Sequence, residues 1–349
     1  MIKTILVALD GSELAEQAIP YVSALASTTK ATVVLGTVIV PPDRWSEGAD
    51  PDEWARQEQD AATFYLKTLT PQFKERGVAA RVRVEVGRAP ETLVAIADEE
   101  AADLLAMTTH GRSGFARWIL GSVADRVLHM SRKPVLLVHA QPDGQVKGAE
   151  FKRILVPLDG SATAESVLPF VKRLAADTKA SLVLQGVIVP TAALYAGTFL
   201  PSSPPALQEI EAGSREYLDD VAIKIKKEGL SVTTCVDVGY AAETILEAAS
   251  ATGADLIALC THGRSGPERW IRGSVADAVV RHADRPCLVL PAPRAHHREE
   301  EPDVAPLAVP RVGNTVVPPP TMAETATPEP PRVRAPAERQ HRPERSPGR

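Results

Sequence analysis

KTILVALDGSELAEQAIPYVSALA, Lys3–Ala26, recurs as RILVPLDGSATAESVLPFVKRLA, Arg153–Ala175, with Asp10 falling on Asp159 at an offset of 149 residues. A second pair lies downstream. THGRSGFARWILGSVADRVL at Thr109–Leu128 recurs as THGRSGPERWIRGSVADAVV at Thr261–Val280, where Gly111 falls on Gly263 at an offset of 152. Val38-Ile39-Val40-Pro41 keeps the first offset and Val86-Gly87 the second, so three residues were gained between Pro41 and Val86. That interval is read as a variable loop and helix. A period of about 150 residues far exceeds the roughly 20–50 of a solenoid unit, so each copy is a domain that can bury its own core.

Within a copy, short β-branched apolar runs alternate with helical periodicity. In the first they are Ile5–Leu9, Leu14–Ala26, Thr32–Val40, an amphipathic stretch over Trp54–Arg76, Arg81–Val86, Pro90–Glu100, Leu104–Thr108, Ser122–Met130 and Val135–Val138. Near-continuous apolar strands joined by helices predict a doubly wound, open parallel sheet covered on both faces. Two tandem five-stranded α/β domains of Rossmann-like type are therefore expected, at residues 1–141 and 151–292. Residues 142–150, with Pro142, Asp143 and Gly144, read as a linker. From 293 to 349 the chain is dense in Pro, Arg, Glu and Ala without an apolar period, and a disordered tail is expected.

Composition narrows the function classes. Hydrophobic residues at 44% and charged residues at 24% are those of a globular protein. A formal net charge of −5, a pI near 6.0 and 4% aromatics argue against nucleic acid as a partner. No apolar run approaches the roughly 18 residues of a membrane span, and Asp10 interrupts the N-terminal run before a signal-peptide core is complete. No membrane association and a cytoplasmic location are the expectation. Cys235, Cys260 and Cys287 form no CxxC or Cys/His cluster, and are read as buried reduced thiols without a metal.

In an open parallel sheet, ligands bind beyond the carboxyl ends of the strands where the strand order reverses. Two loops should meet there. One carries Asp10-Gly11-Ser12, or Asp159-Gly160-Ser161. The other carries Thr109–Gly114 and continues to Gly121-Ser122, or Thr261–Gly266 and then Gly273-Ser274. Glycine lets backbone N–H groups approach a ligand, and a helix N-terminus adds unpaired donors and a positive dipole end, which suits phosphate. Each polar residue has two readings. Ser122 and Ser274 can cap their helices or contact phosphate; Arg112 and Arg264 can bind phosphate or stay solvated. Asp10 and Asp159 can fix an Asx turn or accept hydrogen bonds from a ribose or an adenine amino group. His110 and His262 stand on the right loop for a base, or simply pack. Neither GxxxxGK[ST] nor GxGxxG after the first strand is present, which argues against P-loop and dinucleotide chemistry.

LVALDGS on the first strand, with THGRSG, nine residues and GS after the fourth, resembles the universal stress protein family over nearly the whole of both copies. ATP-binding members carry Gly, two residues, Gly, nine residues, then Gly followed by Ser or Thr. Gly111 with Gly121-Ser122, and Gly263 with Gly273-Ser274, match its later part; Thr108 and Cys260 replace its first glycine. The resemblance implies ATP, with Mg²⁺, held in two pockets. The first would comprise Ala8, Asp10, Val38, Met107, His110, Gly111, Arg112, Gly114, Gly121, Ser122 and Val123. The second would comprise Pro157, Asp159, Val187, His262, Gly263, Arg264, Gly266, Gly273, Ser274 and Val275. It implies a stress-response regulator and not an enzyme, without catalytic residues. It also implies an internal pseudo-dimer through Val135–Val138 and Cys287–Leu290, with a homodimer as a further assembly. The competing readings are a structural or interaction module of the same fold that binds no nucleotide, and a hydrolase or phosphotransferase using the same crevice.

Overall fold

Strand β1 (Thr4–Ala8) lies between β2 (Thr32–Ile39) and β4 (Leu104–Thr108), parallel to both, and is buried from Ile5 onward. The computed structural model describes residues 2–44, 50–109, 120–141, 149–190, 204–260 and 274–292, all within one compact unit, Met1–Arg294. The expected linker and tail fall, for the most part, outside the described residues. In the first copy β1 is followed by α1 (Glu13–Glu16), α2 (Ile19–Thr29), β2, α3 (Pro51–Lys74), β3 (Ala80–Val86), α4 (Ala89–Glu99), β4, α5 (Ser122–Met130) and β5 (Val135–Val138). The second repeats this as β6 (Arg153–Pro157), α6 (Ala162–Glu165), α7 (Leu168–Thr178), β7 (Ser181–Ile188), α8 (Pro204–Lys227), β8 (Val232–Val238), α9 (Ala241–Ala251), β9 (Leu256–Cys260), α10 (Ser274–His282) and β10 (Cys287–Leu290).

The strand order is β3-β2-β1-β4-β5-β10-β9-β6-β7-β8, a single ten-stranded sheet with five strands from each copy. All pairings are parallel except the central one. There β5 meets β10 antiparallel, Leu137 opposite Cys287 and Val135 opposite Val289. The two apolar terminal strands cover each other and so leave no bare apolar edge in the middle of the chain.

Period-two alternation divides the core between the faces of the sheet. Ile5 and Val7 join one apolar cluster with Val22, Leu66 and Phe73, beneath α2 and α3. Leu6 and Ala8 join the other with Leu93, Ile96 and Val127, beneath α4 and α5. Each cluster runs on into the second copy, through Ile154 and Val171 on one face and Leu155 and Val279 on the other.

Local chemistry explains several departures from the sequence reading. The predicted helix over Leu14–Ala26 is divided into α1 and α2 because Pro20, in the first turn of α2, has no N–H to extend the preceding turn. Inside α3, Pro71 cannot donate to the Lys67 carbonyl, and Thr70 Oγ1 donates to it instead at 2.9 Å. Helices α3 and α8 are both 24 residues long, so the three extra residues of the second copy fall in the connections and not in the helix. No helix among the described residues is long and apolar enough to cross a membrane.

Candidate functional site

The winding direction reverses between β1 and β4, and the chain leaving β1 sets up the site. Leu9 N donates to Gly36 O at 2.8 Å and Thr37 Oγ1 to Leu9 O at 2.8 Å, holding this exit against β2. Asp10 Oδ1 then accepts from Ser12 N at 3.0 Å and from Ser12 Oγ at 2.6 Å, while Ser12 Oγ accepts from Ala15 N at 3.2 Å. Gly11 between them has φ 82°, in the left-handed region where a side chain would be strained. The Asx-turn reading of Asp10 is thus realised, through one of its two carboxylate oxygens.

Asp10 also lines a cavity of about 250 Å³. Its walls are Ala8 from β1, Val38 from β2, Met107 and Thr108 from β4, and Gly121, Ser122 and Val123 at the start of α5. Of the expected first pocket, Ala8, Asp10, Val38, Met107, Gly121, Ser122 and Val123 come together here. His110, Gly111, Arg112 and Gly114 lie outside the described residues. Leu9, Ala15, Ala89, Leu93, Thr109 and Ala124 also line the cavity and were not among the expected residues. Leu93 belongs to the apolar stripe of α4 with Ile96 and Ala97, a signal that marks a buried face without saying which part of it meets a cavity.

The entry to α5 separates the two readings of Ser122. The N-cap is Gly121, with no side-chain cap, and Ser122 is the first helical residue. Its hydroxyl therefore does not cap the helix. The first backbone bond into α5 runs from Asp125 N to Gly121 O at 2.9 Å, and helix geometry gives the preceding amides no intrahelical acceptor. These amides stand at the cavity wall, where the helix dipole is positive.

The second copy repeats the turn. Asp159 Oδ1 accepts from Ser161 N at 3.0 Å and Ser161 Oγ at 2.6 Å, and Ser161 Oγ from Ala164 N at 3.1 Å. Pro157 ends β6, Val187 lies near the end of β7, and Ser274 and Val275 open α10, the places of their counterparts in the first copy. His262, Gly263, Arg264, Gly266 and Gly273 lie outside the described residues. The surroundings differ. Where the first copy has Gly36, the second has Gln185, fully buried, with Nε2 donating to Asp237 Oδ2 at 2.8 Å and to Thr244 O at 3.2 Å. Ser166 Oγ reaches Cys260 Sγ at 3.4 Å, at the strand end where the first copy has Thr108.

The thiols are free, with Cys260 and Cys287 buried; Cys235 is half-buried, a correction to the reading of all three as buried, because it lies on β8, the outermost strand of the sheet, opposite Gln185 of β7. Burial, followed by the nearby Asp237 carboxylate, raises the Cys235 thiol to about 11; burial raises Cys287 to about 12. Both are thiols and not thiolates near neutrality. Among the described residues no group of three or more His, Cys, Asp or Glu side chains is placed to hold a metal.

Comparison with known proteins bears on the same two segments. The model of the universal stress protein family matches residues 1–139 and again 150–291. A universal stress protein of Mycobacterium tuberculosis is 24% identical over 255 residues, covering 70% of this chain and 82% of that protein. One from Synechocystis is 30% identical over 138 residues, 40% of this chain and 86% of that protein. The crystal structure of a universal stress protein from Archaeoglobus fulgidus superposes with a TM-score of 0.62 at 23% identity, over 82% of this chain and 98% of that one, a likeness of fold. With two matches covering most of its length, the chain belongs to the universal stress protein family and carries the family's domain twice in tandem.

Proposed function

We propose that this protein is a cytoplasmic, nucleotide-binding stress-response regulator whose first copy takes ATP at the end of β1 and β4. One observation carries the reading. A single cavity brings together an apolar slot, a carboxylate and a helix N-terminus. Ala8, Val38, Leu93 and Met107 offer apolar walls for a purine ring; Asp10 offers acceptors for ribose hydroxyls; the Ser122 and Val123 amides offer donors to phosphate. These residues fit the group. Mg²⁺ would be carried on the phosphates, for the described residues supply no cluster of their own. We read the protein as a binder and not an enzyme, since the two site carboxylates, Asp10 and Asp159, each commit Oδ1 to a turn.

The second copy favours the competing reading of a domain that binds nucleotide weakly or serves as an interaction module. Gln185 buries a polar side chain where the first copy has Gly36, and Cys260 stands in place of Thr108. The test is calorimetric titration of ATP with Mg²⁺ into nucleotide-stripped protein. One tight site lost in Asp10→Ala supports the proposal; no heat, with no retained nucleotide, leaves only the interaction module.

A further inference from the structure

The antiparallel β5–β10 pair relates the two copies, so the junction has two flanks built from equivalent positions. One flank is closed. Tyr21 on α2 stacks on Phe151 with ring centroids 6.0 Å apart and planes inclined by 23°. Gln17 and Gln141 exchange two hydrogen bonds, of 2.9 and 2.7 Å. The Arg285 guanidinium is held by the carbonyls of Ala249 and Ala254, both at 2.6 Å, and by Ser250 Oγ at 3.0 Å.

The other flank carries smaller side chains at the same places and stays open. By the repeat offsets, Phe170 replaces Tyr21, Ile2 replaces Phe151, Ser166 replaces Gln17 and Lys133 replaces Arg285. A cavity of about 360 Å³ remains, with Ile2, Phe170 and Leu290 among its apolar lining. Its rim is cationic. Lys133 reaches it from the first copy and Arg173, which stands where the closed flank has Ala24, from the second. Arg173 is exposed and makes no ion pair or hydrogen bond among the described residues. The Lys133 ammonium forms a long, partly exposed ion pair with Asp98 at 3.7 Å, without a hydrogen bond between them. The one carboxylate lining the cavity, Asp103, accepts through Oδ2 from the backbone N–H groups of Lys3 at 2.7 Å and Thr4 at 3.1 Å.

We propose that this groove is a second ligand site, separate from the cavity at the strand ends, and that it takes a small amphipathic anion. A carboxylate or sulfonate head would lie between Lys133 and Arg173, whose guanidinium suits bidentate pairing, and an apolar body would cover Ile2, Phe170 and Leu290. The volume falls within the about 300–1,000 Å³ of small-molecule sites. The site exists on one flank because five positions differ together: Phe170, Ile2, Ser166 and Lys133 are each smaller than their counterparts, and Arg173 adds a cation where the closed flank has Ala24.

The probe is 8-anilinonaphthalene-1-sulfonate, titrated into the full chain and followed by fluorescence. Saturable binding that weakens with added salt is expected. Arg173→Ala, which removes an exposed side chain, should weaken it by about tenfold, the loss of one charge-assisted contact. Ile2→Phe, which brings in the closed flank's residue, should abolish it; Ser166→Gln does the same from the other wall if Ile2→Phe fails to fold. An absence of saturable binding, or wild-type affinity in either Arg173→Ala or the folded filling variant, overturns the proposal.

Discussion

Leu136 of β5 faces Leu288 of β10 in antiparallel register, each only 1% exposed, at the centre of a sheet built by two copies of one domain. The pair sits where the two cores become one, since Leu136 and Leu288 belong to the same apolar cluster as Ile5 and Ile154.

Because the copies share this core, they are expected to unfold together. Leu288→Ala should cost about 2–5 kcal/mol, as for other buried leucines. Chemical denaturation followed by circular dichroism should show one transition at a lower midpoint. Two separated transitions in the wild-type chain would contradict a shared core.

Nucleotide affinity should follow the first copy. Asp10→Ala removes a carboxylate that both shapes the turn and lines the cavity, and is expected to weaken ATP binding by about tenfold or more, the loss of hydrogen bonds to a charged group. Asp159→Ala should change the total far less. Calorimetry on the two single variants separates them, and equal losses would mean equivalent pockets.

Gly36, two residues before the lining residue Val38 on β2, offers a test from beside the site. A Cβ built there would lie 2.7 Å from Leu6 Cδ1, so Gly36→Ala must displace a core side chain and should destabilise by about 1–3 kcal/mol. Gly36→Gln imports the second copy's residue without Asp237, which here is Glu85. It should reduce ATP affinity as well as the unfolding midpoint. Retained affinity would detach position 36 from the pocket.

The Cys287 thiol gives a pH dependence with a definite sign. Burial lifts its folded value to about 12, above the 9.0 of an exposed thiol, so above pH 9 the unfolded chain has released a proton that the folded chain retains. Stability is complete below that pH and falls as pH rises towards 12. Cys287→Ala should flatten the slope of denaturation midpoint against pH over this window. In native protein at pH 8, a thiol reagent should leave Cys287 unmodified.

Much of the architecture was legible because it rests on local chemistry. Continuous apolar runs over Leu104–Thr108 and Val135–Val138 mark buried strands wherever they lie, and the recurrence of LDGS and THGRSG marks the same two loops in each copy. The pairing of the two terminal strands was implied by the family resemblance, and their apolar character agrees with it, since neither could be left bare at an edge. Of the pocket, the residues next to the turn and the helix start were found from their motifs. Leu93 and Ala89 were not, because nothing about a helix's apolar stripe says which part of it faces a cavity and which faces the sheet.

The sequence by itself determined the duplication, the α/β alternation, the turns at Asp10 and Asp159, and the family. Only the tertiary structure decided that Gly121 and not Ser122 caps α5, that Gln185 lies buried against Asp237, and that one flank of the junction closes on Tyr21 and Phe151 while the other stays open at Ile2 and Phe170. The physical reason is range. Strands, turns and repeats are written in neighbouring residues, whereas Tyr21 and Phe151 meet only because a sheet ten strands wide brings distant segments together and leaves side-chain volume to settle which gaps are filled.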